Sequence, residues 1–125
     1  MTTQKARIDS FRNWMEAKTN SYAESCSDYA RSNQESPPES LSFPYEVFSE
    51  TWDAFEILVD RDDAYKPSRN LQSFLQDYSV HSTDGTELFG MYIRNSLPTV
   101  YGYSDYHIKA LNSILKKFGK VDTND

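Results

Sequence analysis

The sequence PYEVFSETWDAFEILVD at residues 44–60 has the clearest helical pattern in the chain. At 100° per residue, its large apolar side chains fall on one broad face, and its carboxylates fall within roughly 120° of one another on the other face. Only Ile57 departs from this separation. The apolar face consists of Val47, Phe48, Trp52, Ala54, Phe55, Leu58 and Val59. The pattern predicts an amphipathic helix packed on a core, with Pro44 in its first turn, where a missing N–H costs nothing.

Residues 5–30 predict a second, longer amphipathic helix. Its apolar side chains recur at steps of three, four or seven, which aligns them along one narrow seam. They are Ile8, Phe11, Met15, Tyr22, Cys26 and Tyr29, with Trp14 beside them. Such a seam can pack on the protein's own core or against a second copy, which would give a homodimer. The core is the preferred interpretation because the repeat is too short for a secure coiled coil.

Residues 31–43 are predicted to be a connector, since serines, glutamates and the consecutive Pro37 and Pro38 interrupt a helix. One isolated helix cannot build a core, so residues 1–125 are expected to form a single domain. Its compact helical part would span residues 44–119, followed by a frayed tail at 120–125.

The C-terminal half predicts three shorter helices over about 68–78, 86–95 and 104–118, the last ending at Gly119. The middle one is ambiguous. Asp84-Gly85 is a hairpin signal, whereas Asp84 followed by Glu87 resembles a capping box ahead of apolar doublets at helical spacing. Helix is favoured over a short β-hairpin near residues 78–93. The expected fold is therefore all-α or α-dominated, a bundle of four to five helices, with α+β as the alternative.

The net charge of −6 is unevenly distributed. Residues 21–65 carry eleven acidic and two basic side chains, whereas residues 66–121 carry seven basic and four acidic ones. A non-specific nucleic-acid binder usually has a basic balance, so direct nucleic-acid contact is the less expected function. The acidic band instead favours a protein partner with a basic surface.

The sequence also predicts a cytoplasmic protein, in the host cell if it is viral. No stretch approaches the roughly 18–20 apolar residues of a membrane span, and residues 1–11 lack the apolar part of a signal peptide. The single cysteine, Cys26, provides no disulfide framework, which suits a reducing compartment.

No motif for catalysis or metal binding is recognisable. His81 and His107 belong to no paired-ligand spacing, and the four glycines are too isolated to cradle a phosphate. The aspartates near residue 62 lack the glycine and glutamate of an EF-hand loop. The expectation is a protein that is not an enzyme and has neither cofactor nor metal.

The candidate binding site is an acidic stripe along the helix at 44–60. Neighbouring carboxylates on such a helix lie roughly 5–10 Å apart, a spacing comparable to that of backbone phosphates. The stripe could thus act as a nucleic-acid mimic of the viral or mobile-element type, inhibiting a nucleic-acid-handling protein. A merely solvated face is the alternative interpretation. The stripe comprises Glu46, Glu50, Asp53, Glu56 and Asp60, continued by Asp62 and Asp63.

The alternative function is a small DNA-binding regulator. The three C-terminal helices could form a helix-turn-helix or winged-helix-like unit whose last helix enters the major groove. Lysines near a helix C-terminus also complement the helix dipole, which weakens this interpretation. The candidate DNA-binding residues are Lys109, Asn112, Lys116 and Lys117.

Overall fold

The computed structural model describes residues 3–59, 66–78, 84–101 and 104–122, and within these ranges the regular structure is helical, without strands. None of the described helices is long and apolar enough to cross a membrane. A π-helical turn, Tyr92–Ser96, joins α4 to α5 without a break, so the described part of the single domain contains five helical bodies. The helices are α1 Gln4–Asn33, α2 Glu39–Leu58, α3 Arg69–Tyr78, α4 Gly85–Met91, α5 Leu97–Tyr101 and α6 Asp105–Asp122. The all-α prediction is confirmed.

The ambiguous segment is a helix where the structure describes it. Asp84 is the N-cap of α4, and its Oδ1 accepts the N–H of Thr86 at 2.9 Å. That bond satisfies one of the donors left open at a helix start. The α-helical interpretation is confirmed from residue 84 onward, while residues 79–83 of the alternative hairpin lie outside the described residues.

The connector between α1 and α2 is shorter than predicted, covering only residues 34–38. α1 ends where Gln34 adopts a left-handed conformation (φ 53°) and donates its N–H to Ala30 O at 2.9 Å. Pro38 is the N-cap of α2, so the proline pair precedes the helix instead of interrupting it. The prediction that Pro44 lies in the first turn is wrong: α2 begins five residues earlier, at Glu39.

Four phenylalanines from four helices meet at the centre of the core. Phe11 of α1, Phe55 of α2, Phe89 of α4 and Phe118 of α6 are each at most 2% exposed. Five pairs among them have ring centroids 5.0 to 5.7 Å apart, within the range in which aromatic rings attract one another. This contact fixes which face of each helix points inward.

Pro98 lies two residues after the end of the π-helical turn. Leu97 donates its N–H to Tyr92 O, five residues back, in place of the usual four. Pro98 has no N–H, so the bond from residue 98 to Arg94 O cannot form. The wider turn buries Tyr92, Ile93 and Leu97 completely.

α6 continues through Gly119 to Asp122, so the prediction that it ends at Gly119 is wrong. Phe118 and Val121 are both buried, and their packing holds the last turn in place. Tertiary packing here outweighs the weak helix preference of glycine.

Two glycine substitutions test this packing. A Cβ on Gly85 would lie 2.0 Å from Leu58 O and 2.9 Å from Leu58 C, both backbone atoms, whereas a Cβ on Gly119 meets nothing within 4 Å. Gly85→Ala should therefore lower the free energy of unfolding by about 1–3 kcal/mol. Gly119→Ala should raise it by about 0.5–1 kcal/mol, because alanine favours a helix. Urea titration measures both changes, and equal stabilities for the two variants would contradict the close approach of α4 to α2.

Candidate functional site

The carboxylate of Glu50 lies inside a polar cluster instead of facing outward from α2. Its Oε1 accepts hydrogen bonds from Ser68 Oγ at 3.0 Å, Asn70 Nδ2 at 2.9 Å and the Tyr92 hydroxyl at 2.9 Å. Its Oε2 accepts the Tyr101 hydroxyl. These five residues, called the Glu50 cluster below, join α2 to α3, the π-helical turn and α5.

The hydroxyl groups of the Glu50 cluster are engaged in structural hydrogen bonds. Ser68 Oγ also accepts the N–H of Leu71 at 3.1 Å and so caps the start of α3. Burial, followed by the charge of Glu50, raises the pKa of Tyr92, which keeps its hydroxyl protonated as a donor. A buried carboxylate is costly unless it is hydrogen-bonded, and these donors meet that requirement.

Glu50 is thus withdrawn from the predicted acidic stripe. On a helical projection Glu50 lies at one edge of the predicted stripe, 40° from the buried Ala54. That edge position is the one signal in the sequence that separates Glu50 from the other carboxylates. Its donors are 18 to 51 residues away along the chain, so local periodicity could not identify them.

The remaining described members of the stripe form a smaller surface, called the acidic face below. Glu46 is half exposed, while Asp53 and Glu56 are partly buried. Burial, and then the negative charge of Glu50, raise the pKa of Asp53. Asp60, Asp62 and Asp63 lie outside the described residues. The acidic face consists of Glu46, Asp53 and Glu56.

His107 fixes the start of α6 against α2 and α5. Its side chain is 0% exposed, and its ring stacks on Phe43 at 4.2 Å and on Tyr101 at 5.2 Å between centroids. Its Nε2 lies 3.7 Å from Oε2 of Glu46. Within the described ranges, no group of three or more His, Cys, Asp and Glu side chains is arranged to hold a metal, and His81 is not described. His107 is therefore a buried packing residue that lies beside Glu46, one member of the acidic face.

The candidate DNA-binding residues lie along α6. Lys109, Asn112 and Lys116 are exposed, whereas Lys117 is partly buried with its Nζ 5.9 Å from the centroid of Trp14 on α1. Lys120, which was not among the predicted residues, is exposed on the same side of the helix as Lys109 and Lys116. The basic side of α6 thus borders α1.

Glu50→Gln tests the role of the Glu50 cluster. The amide replaces one acceptor oxygen by a donor and removes the charge that strengthens four hydrogen bonds, so the free energy of unfolding should fall by about 2–3 kcal/mol. Glu24→Gln on the exposed side of α1 is the matched control and should change it by less than about 0.5 kcal/mol. Urea titration compares the two, and similar small losses would show that Glu50 is only a surface carboxylate.

The raised pKa of Asp53 predicts a pH-dependent stability. The folded protein binds the Asp53 proton more tightly than the unfolded chain, so ionisation of Asp53 costs stability as pH rises through and above about 4. Asp53→Asn should therefore raise the melting temperature at pH 7, and the gain should vanish below about pH 3.5. Asp105→Asn should instead lower the melting temperature at pH 7, because a negative charge in the first turn of α6 is favourable. A gain for Asp53→Asn that is independent of pH would contradict this explanation.

Comparison with protein-family models, curated proteins and solved structures finds no match to this chain. The functional interpretation therefore rests on the residues themselves. Two features bear on it: the acidic face of α2, and the basic side of α6 where it borders α1.

Proposed function

We propose that this protein is a non-catalytic interaction protein that binds and regulates, or inhibits, a larger protein through the acidic face. The observation that carries the proposal is the charge of α2. This helix of 20 residues contains five carboxylates and neither lysine nor arginine. No basic side chain lies at i+4 from Glu46 or Asp53, so within α2 nothing offsets the charge that these two carboxylates would present to a positively charged partner.

Repulsion among these carboxylates favours such a partner. The charge of Glu50 adds to burial in raising the pKa of Asp53, so the ionised face contains unfavourable electrostatic energy. A basic surface brought against Glu46 and Asp53 would relieve part of that energy. Complementary potentials of this kind also accelerate association and exclude acidic partners.

A nucleic-acid-handling protein is the partner class that best fits this surface. The axial rise from Glu46 to Asp53 is about 10 Å and from Asp53 to Glu56 about 4.5 Å, on the scale of phosphate separations along a strand. The side chains of the acidic face project from a helix packed against α1, α4 and α6. A row of charges on such a fixed helix suits a groove that normally holds a nucleic-acid backbone, as a nucleic-acid mimic of viral or mobile-element origin would use it.

A small DNA-binding regulator, with α6 in the major groove of a duplex, is the second candidate function. It is favoured by Lys109, Asn112 and Lys116, which are exposed along α6 and free to contact a groove. The position of Lys117 over Trp14 weighs against it, because a recognition helix would present its basic side away from the neighbouring helix.

The proposal is tested by affinity capture with two immobilised triple variants. The test variant removes the charges of the acidic face by Glu46→Gln, Asp53→Asn and Glu56→Gln. The control variant removes three exposed carboxylates elsewhere by Glu16→Gln, Glu24→Gln and Glu35→Gln. The wild type and the control should retain the same nucleic-acid-binding protein at low salt, and added duplex DNA should displace it. The acidic-face variant should retain at least tenfold less. Equal retention by both variants would refute the proposal.

A further inference from the structure

A row of hollows with basic walls follows the seam between α1 and α6. The two largest have volumes of about 240 and 300 Å³ and share Ser113; the third shares Lys117 and Lys120 with the 300 Å³ hollow. Because adjacent hollows have lining residues in common, they lie next to one another along the seam, and together they are called the cationic groove below. Its basic side chains are Arg7, Lys18, Lys109, Lys116, Lys117 and Lys120.

The positive charge of the lysines in the cationic groove is not offset by an ion pair within the described ranges. None of the described residues that line the three hollows is an aspartate or a glutamate. An anion entering the groove would therefore meet lysines ready to bind it.

Aromatic side chains accompany these lysines. Tyr22 and Tyr106 line the hollow that contains Lys18 and Lys109, and Tyr106 is 41% exposed. Trp14 lines the next hollow beside Lys116. A basic groove with aromatic side chains along its length is the arrangement by which proteins bind single-stranded nucleic acid, with lysines on phosphates and rings on bases.

We propose that the cationic groove binds single-stranded nucleic acid, with Lys109, Lys116 and Lys120 along the phosphates and Tyr106 stacked on a base. From residue 109 to 120 the helix rises about 17 Å. At ~3.4 Å per stacked nucleotide, that length accommodates roughly five nucleotides. The groove lies between α1 and α6 with the first part of α2 at one end, and none of the residues of the acidic face lines it. This inference is therefore independent of the proposed binding through the acidic face and can fail without it.

The dimensions of the groove favour a single strand over a duplex. The hollows have volumes of about 110 to 300 Å³ each, which is too small to take in a double helix. Bases of a single strand can also turn toward Tyr106, whereas paired bases are stacked on one another and inaccessible to a ring. An acidic peptide would satisfy the lysines but would leave the aromatic side chains without a matching partner.

The test is fluorescence anisotropy with a labelled oligo(dT) strand of about 12 nucleotides, titrated at several salt concentrations between about 25 and 200 mM. The wild type should bind at low salt and weaken steadily as salt rises. Lys109→Gln with Lys116→Gln should weaken binding about tenfold at low salt. The double variant should also make the slope of log K against log salt concentration less negative by about 1.4, since each phosphate contact contributes ~0.7 to that slope. Tyr106→Ala should weaken binding about fivefold or more at every salt concentration without changing that slope.

Lys66→Gln with Arg69→Gln removes two exposed positive charges outside the groove and is the matched control. It should leave the affinity within twofold of the wild type, and circular dichroism should show all variants equally helical. Duplex DNA of the same length and polyglutamate should each bind at least tenfold more weakly than the single strand. Absence of wild-type binding at low salt, an equal loss in the control, or equal affinity for duplex or polyglutamate would each overturn the proposal.

Discussion

The contact among the four central phenylalanines determines how the rest of the molecule is arranged. Phe55 can reach Phe11 and Phe89 only if α2 is rotated so that its apolar face points between α1 and α4. That rotation carries Glu50, at the edge of the acidic side, under the segment from α3 to α5. A carboxylate in that position needs donors, and the Glu50 cluster supplies four. One apolar contact thus decides which of the carboxylates of α2 remain available to a partner.

The elements that could be predicted from the sequence are those whose signal is local. The pattern at 44–60 and the apolar spacing of α6 depend on neighbours within two turns, so both helices were identified. The predicted ends of the helices were less accurate because they depend on packing and on capping. Burial of Val121 keeps α6 helical past Gly119, and α2 begins directly after Pro38, earlier than Pro44 indicated. The role of Glu50 could not be predicted in full, because its position at the edge of the stripe does not show which residues it meets, and its donors are 18 to 51 residues away along the chain.

The distribution of charge in this domain is more informative than its total. A pI near 4.8 suggests a protein that repels nucleic acid, yet the basic side chains of α6 and α1 gather along one seam with no carboxylate among the described residues lining it. Exposed charges are screened beyond ~10 Å at about 0.1 M salt, so a ligand in contact with the seam responds chiefly to the nearest side chains. Net charge therefore argues against non-specific binding over the whole surface but does not exclude an anion site.

The two charged surfaces would recognise their partners in different ways because their side chains differ in freedom. Glu46 and Asp53 have fewer rotatable bonds than lysine, and they project from a helix that the Glu50 cluster joins to α3 and α5. A partner would meet charges on a backbone that is already in place, which lowers the entropic cost of binding and favours a matched geometry. Lysines are long and flexible, and they bind phosphates as point charges with little directional demand. In the proposed functions, the acidic face would accordingly select one protein partner, and the cationic groove would accept strands of many sequences.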